Sequence, residues 1–343
     1  MYVFNPEHDL CLANGNANYV PPLSSLKFGL DCSGILPLLF PDEGMVVWGW
    51  NAELKQRLVR QGVAPELLLD DSQLQSIRLL SHRRYAVAAS RFIYSQSKWS
   101  GFLAEPFAEE IADDVGVDEF IVSRREVVLK PPWSGSGKGL RWISCGSFSS
   151  SDKGWWHNVI SRQGSVIAEK RKTVAVDFAA LFRVRSSSVS FEGYSLFNTS
   201  NGAYKSNVLA SDEYILEYIS EYLPLSVILD SVDLLKSYIS EHFLGNYQGY
   251  LGVDMFVCRD GDRFLLAPCV EINVRMTMGL VARWCFDKFI SGYGKDADGR
   301  YTMNVVHSAD SQEFHNELSE AEILLTEVGP QTSYAIAVFA GEP

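Results

Sequence analysis

The stretch from Gly249 to Gly279 constrains the fold more than any other part of the chain. Two apolar runs flank Arg259-Asp-Gly-Asp262, and the Asp-Gly pair is a hairpin signal. The pattern predicts antiparallel strands over Leu251 to Cys258 and Arg263 to Asn273. Asp254 interrupts the first apolar run, and Glu271 and Asn273 follow Ala267-Pro-Cys-Val270 in the second. Side chains two apart on a strand share a face, so Glu271 and Asn273 point the same way. Arg275 joins them if the extended run continues. Two carboxylates, an amide oxygen and a guanidinium are costly to bury together without a compensating ion or ligand. Oxygen donors of this kind suit a hard cation, and Mg²⁺ that also holds nucleotide phosphates is the usual case. An ordinary amphipathic hairpin with Asp254 and Glu271 on its solvent face is the alternative.

A second motif favours the cation. In Val127-Val-Leu-Lys130-Pro-Pro-Trp-Ser-Gly135-Ser-Gly137-Lys-Gly139 an apolar strand ends in a lysine and enters a glycine-rich loop. Successive backbone N–H groups of such a loop can cradle phosphate oxygens, with the lysine as a point charge. The loop is not a Walker A motif, because Pro132 holds the first glycine position and Gly139 follows the lysine. Its glycine spacing does not fit the dinucleotide fingerprint either.

Together the two motifs resemble the ATP-grasp superfamily, over roughly residues 90 to 290. The resemblance implies a two-lobed α+β fold that binds ATP with Mg²⁺, Mn²⁺ being the alternative ion. Carried over, Lys130 is the phosphate lysine, Gly135, Ser136 and Gly137 belong to the phosphate loop, and Asp254, Glu271 and Asn273 are the metal ligands. Glu271-Ile-Asn273-Val-Arg275 is similar to the Glu-x-Asn-x-Arg form of carboxylases and carbamoyl-phosphate-type members. Lys98 is the candidate for a further phosphate lysine. Glu169, Lys170 and Asp177 match the stretch that reads adenine and ribose at the hinge. Tyr204-Lys205-Ser-Asn207 is similar to a stretch of amino-acid ligases, which makes Lys205 a catalytic candidate beside Arg275. The plainer reading of both Lys98 and Lys205 is a solvated lysine.

The chain has 343 residues, 47% of them hydrophobic, which is enough for two or three subdomains. A net charge of −12 with no basic stripe argues against a nucleic-acid partner. The six cysteines include no Cys-x-x-Cys pair, and the six histidines show no metal-ligand spacing. No signal peptide and no membrane-length apolar run is seen, so the expected setting is cytoplasmic, away from membranes.

Four segments follow. Residues 1–90 read as a small parallel-sheet α/β domain, with strands at Met1 to Asn5, Val46 to Trp50 and Arg84 to Ala89. Its polar loops, Asn5-Pro-Glu-His8-Asp9 and Asn14 to Pro22, read as turns or as ligand loops at strand ends. Residues 91–170 form the small lobe with the glycine-rich loop, mainly helical from Arg91 to Val115. Residues 171–310 form the large lobe with the metal site, and 311–343 a C-terminal extension ending in a hairpin. In the large lobe Phe182 to Leu209 reads as a strand meander turning at Asn201-Gly202. Amphipathic helices follow at Asp212 to Leu223 and Ser226 to Leu244.

Three functions fit this reading. The first is an ATP-dependent ligase that joins a small carboxylate to an amine through an acyl phosphate. A small-molecule kinase and a non-catalytic nucleotide-binding module are the others. The intact Asp254, Glu271 and Asn273 set argues against the last. The sequence does not define the oligomeric state.

Overall fold

A computed structural model describes residues 1–135, 139–200, 203–308 and 310–341. The hairpin forms as the sequence predicts, with Gly249–Asp260 antiparallel to Arg263–Asn273. Its turn is Gly261-Asp262, and Gly261 takes the left-handed conformation that a two-residue loop requires (φ 62°). Pairing is regular from Asp260↔Arg263 to Phe256↔Ala267, then breaks, and resumes at Asp254↔Glu271. The break falls at Pro268, which has no N–H to give the ladder. The resulting bulge sets Asp254 directly opposite Glu271, a placement that re-aims side chains beside a site.

The hairpin is one end of an eight-stranded antiparallel sheet. Beyond it, in order, come Thr173–Val184, Val189–Ser200, Ala203–Leu209, Tyr301–His307, Tyr334–Ala340 and Ile323–Leu324. The segment that the sequence sets apart as a C-terminal hairpin thus adds its strands to the same sheet. The Asn201-Gly202 turn lies outside the described residues, but its flanks pair as expected, Ser200 with Ala203. Helix Leu225–Phe243 covers one face with Val227, Ile228, Val232, Leu235, Ile239 and Phe243. Three- and four-residue spacing puts all of these on one stripe. The opposite face packs against helix Met278–Cys285 and the N-terminal region, through Leu280, Val281, Leu36 and Phe4.

A four-stranded antiparallel sheet forms the small lobe, in the order Ala108–Ile111, Val166–Lys170, Val127–Lys130, Arg141–Ile143. Its core closes around the fully buried Trp156 of helix Ser150–Gln163, which packs rather than reacts. Only Arg171 and Lys172 separate its strand Val166–Lys170 from Thr173–Val184 of the large sheet.

The N-terminal region departs furthest from expectation. Its parallel sheet is present but minimal, Tyr2–Val3 beside Val46–Val47. Arg84 to Ala89 is not a strand but the start of helix Arg84–Gln96. Ala86, Ala89, Ser90 and Ile93 are its buried face, and alanine-rich alternation is compatible with both periods until the neighbours decide. The helix ends at Gln96, so the long helix expected over 91–115 is replaced by a short connector and the strand Ala108–Ile111.

Candidate functional site

A cleft of about 950 Å³ lies between the two sheets. The small lobe contributes Lys130, Glu169 and Lys170, and the large sheet contributes Asp177, Asp254, Glu271 and Asn273. Arg275, just past the hairpin, lines it too. Residues drawn from positions 130 to 275 thus converge on one space.

Side by side on the hairpin stand two acidic groups with different partners. Glu271 is held by Arg83, with Nη1 2.8 Å from Oε2. Asp254, opposite Glu271, receives one hydrogen bond, from Asn273 Nδ2 at 3.1 Å. Burial and then the neighbouring Glu271 charge push the Asp254 carboxyl up to about 7. Opposed carboxylates on paired strands repel, so the fold tolerates this pair only beside positive charge. Arg83 supplies it: burial lowers and the Glu271 charge raises its pKa, with a net upward shift that keeps the guanidinium charged.

Arg275 completes a chain of contacts. Its Nε and Nη2 fork onto Asp9, Nη2 reaching Oδ2 at 2.7 Å and Nε reaching both oxygens at 3.1 and 3.2 Å. Nη2 also donates to Asn273 Oδ1 at 3.1 Å, and Nη1 donates to the Met276 carbonyl at 3.0 Å. Asp9 is therefore tied through Arg275 and Asn273 to Asp254. Burial opposes ionisation of Asp9, but Arg275 outweighs it and holds the carboxyl below its ordinary value.

At the other end of the cleft Lys130 Nζ pairs with Glu169 Oε2 at 2.7 Å, both largely buried. The expected place of Glu169 was at adenine or ribose; the structure makes it the counter-ion of Lys130. Asp177 accepts a hydrogen bond from Thr199 Oγ1 at 2.7 Å, and burial raises its carboxyl pKa. Phe107 and Phe256, with ring centroids 5.9 Å apart, line this part of the cleft beside Trp142 and Val128. Apolar walls next to a carboxylate and a lysine suit a flat base joined to a hydroxylated and anionic tail.

Two candidates do not reach the cleft. Lys98 is exposed, 5.8 Å from the ring of Trp99, just past Ser97 at the C-terminal end of helix Arg84–Gln96. The Ser97 hydroxyl donates to Asp230, which fixes this turn against helix Leu225–Phe243. Lys205 is exposed as well. A register shift pairs Asn198 with Ser206 and Thr199 with Tyr204, leaving Lys205 as the extra residue. Its neighbours Tyr204 and Asn207 line the cleft in its place, bonded to each other at 2.6 Å. Ser136 and Gly137 lie outside the described residues. Gly135 sits against Asp9: a Cβ there would fall 1.9 Å from Oδ2, so only glycine fits the crossing.

Sequence reasoning missed Arg83 and Asp9. Arg83 lies in Ser-His-Arg-Arg, with no pattern around it, and its position depends on helix Arg84–Gln96, whose first turns, Arg84 to Ala89, the sequence reads as a strand. Arg83 also spans to the glycine-rich loop, Nη2 donating to the Ser134 carbonyl at 2.9 Å and to its hydroxyl at 3.1 Å. Asp9 had a signal, since its loop follows the first strand of a parallel pair, where ligand loops gather.

No family model matches the sequence, and no curated protein sequence matches it. Solved structures do share its fold. Biotin carboxylase from Campylobacter jejuni, in a β-γ-ATP complex, matches with a TM-score of 0.52 at 13% identity, over 90% of this chain and 79% of its own. An N5-carboxyaminoimidazole ribonucleotide synthetase with ADP matches at 0.51 and 13% identity, over 87% and 76%. N5-carboxyaminoimidazole synthase from Aspergillus clavatus, with ADP and 5-aminoimidazole ribonucleotide, matches at 0.50 and 12%, over 88% and 78%. The chain has the ATP-grasp fold. At such identities the likeness concerns the ATP-grasp fold alone, and chemistry has to be argued from the side chains. Among the described residues no helix is long and apolar enough to cross a membrane.

Proposed function

We infer that the protein is an Mg-ATP-dependent ligase that joins a small carboxylate to an amine through an acyl phosphate, releasing ADP and phosphate. One observation carries this: Lys130 with Glu169, and Asp254 with Glu271 and Asn273, line a single cleft on an ATP-grasp scaffold. The Phe107–Phe256 end is suited to adenine, with Asp177 and Lys170 placed for the ribose and Lys130 for phosphate. The solved neighbours above were crystallised with ADP or an ATP complex, which supports a nucleotide here.

The acidic end fits a divalent cation. Asp254 is a half-buried carboxyl with its pKa raised and, among the described residues, only an amide as hydrogen-bond partner, and a nearby cation would relieve both costs. Among the described residues no cluster of three histidine, cysteine or acidic side chains forms a complete cage. Remaining ligands would come from phosphate oxygens and from the Asn273 amide once its oxygen turns from Arg275, an arrangement typical of Mg²⁺. Held by Asp254, Glu271 and Asn273, such an ion would supply positive charge against that developing on the phosphates during transfer.

The chain's own groups then do the following. Lys130 and the glycine-rich loop hold the β- and γ-phosphates in line with the carboxylate. A carboxylate oxygen attacks the γ-phosphorus, and the bond to ADP breaks. The amine attacks the acyl carbon, phosphate leaves, and the amine proton passes to solvent or phosphate. Arg275 has its fork committed to Asp9 and so braces Asn273 in this scheme. The test is ADP release with a panel of carboxylates and hydroxylamine as the amine. A hydroxamate formed together with ADP supports the ligase. A stable phosphorylated product that hydroxylamine does not trap supports the kinase instead.

A further inference from the structure

A second cleft, of about 370 Å³, shares no lining residue with the first. The two meet at consecutive residues: Arg275 lines the nucleotide cleft and Met276 lines the second. Three segments build it: residues 43–50, the end of strand Thr173–Val184 with the turn after it, and the entry to strand Gly249–Asp260. Trp48 and Trp50 follow Val46–Val47, so the cleft opens at the carboxyl end of the parallel pair, where α/β folds place ligands. The Met276 N–H donates to the Trp48 carbonyl at 2.9 Å, fixing this wall to the strand that carries Arg275.

The lining is part aliphatic and part aromatic, with one carboxylate, the exposed Glu43, and two arginines, of which Arg183 is uncommitted among the described residues. Trp50, Tyr247 and Tyr250 supply flat surfaces. Tyr247 folds back to donate to the Tyr250 carbonyl at 2.5 Å. That fold needs Gly249 (φ 148°), where a Cβ would fall 2.6 Å from the phenol oxygen. Arg183 stacks on Tyr250, Cζ 4.7 Å from the ring centroid. Among the described residues its guanidinium makes no hydrogen bond and no ion pair, whereas Arg185 is held by Ser190 and Glu192. A half-buried guanidinium held over an aromatic ring, with no acceptor taken up, has N–H donors left for an anion.

We propose that this cleft binds a small molecule carrying a carboxylate or phosphate on a flat apolar body. The anion pairs with Arg183, and the body stacks against the aromatic wall. The volume lies at the lower end for ligand pockets, roughly 300–1,000 Å³. Because the clefts share no lining residue, this site stands or falls apart from the ligase reading.

The experiment uses the full chain with benzoate, phenyl phosphate and neutral benzyl alcohol as probes. Binding is followed by calorimetry and by tryptophan fluorescence, which Trp48 and Trp50 report, with and without saturating Mg-ADP. The expected result is saturable binding of one anion, unaffected by Mg-ADP. Benzyl alcohol should bind about tenfold more weakly or worse, as the loss of one charge-assisted hydrogen bond implies. Benzoate or phenyl phosphate binding tells the carboxylate from the phosphate. Arg183→Gln should weaken the preferred anion about tenfold with an unchanged melting temperature, and Trp50→Ala should weaken it without altering the preference for charge. Failure of both anions to bind, displacement by Mg-ADP, or wild-type affinity in Arg183→Gln overturns the proposal.

Discussion

Breaking the Asp9–Arg275 pair tests how the N-terminal helix His8–Asn14 is tied to the acidic site. Three N–O contacts of 2.7 to 3.2 Å join the two groups, with side chains 21% and 12% exposed. At an effective dielectric near 20, charges about 4 Å apart attract by about 4 kcal/mol. Removing one partner of a buried pair leaves the other charge uncompensated, which costs about 3–5 kcal/mol. Asp9→Ala and Arg275→Met should each destabilise the protein by about that amount. The double variant should be little worse than either, giving a coupling of about 3 kcal/mol. Urea denaturation of the four proteins measures it. Because Arg275 also holds Asn273, Asp9→Ala should weaken the Mg²⁺-dependent part of ADP binding more than ADP binding without metal. A coupling below about 0.5 kcal/mol, the range of exposed pairs, would refute the reasoning.

Glu271→Gln should abolish turnover, with loss of at least about a hundredfold, and should also destabilise by about 3 kcal/mol in urea unfolding, because it leaves the buried Arg83 guanidinium without its carboxylate. Lys130→Met should weaken nucleotide binding and also destabilise by about 3 kcal/mol, since Glu169 is left buried and unpaired; titration calorimetry and urea unfolding separate the effects. His8 gives a pH signature. Burial is the main cause of its pKa of about 4, below the unfolded value of 6.5. The unfolded chain takes up a proton that the folded one excludes between those values. This stabilisation is full above about pH 6.5 and is lost as pH falls to about 4, a decline of about 3 kcal/mol. His8→Gln should flatten that part of the stability profile.

The hairpin Gly249–Asp260 with Arg263–Asn273 was legible in the sequence because its chemistry is local. Asp-Gly at a turn, alternation on either side and Glu-x-Asn on one face place a hairpin and aim its side chains without knowledge of the rest. Lys130 was legible for the same reason, as the end of a strand entering a glycine-rich loop. What failed depends on tertiary neighbours. Arg84 to Ala89 suits either period, and only its packing against the hairpin side of the large sheet makes it helical. With that helix misread, Arg83 had no place in the site. Lys205 was misplaced by one extra residue in its strand, which pairing reveals and composition does not. Asp9 lies 266 residues from its partner Arg275, so nothing local signals the pair.

The central claim is transfer of a carboxylate oxygen to phosphorus. It is tested most directly with an ¹⁸O-labelled carboxylate, Mg-ATP and the accepting amine, followed by mass analysis of the phosphate released. An acyl phosphate intermediate predicts that each phosphate carries one labelled oxygen, in step with ADP and amide product. Unlabelled phosphate beside ADP, or label recovered in AMP, would contradict the account.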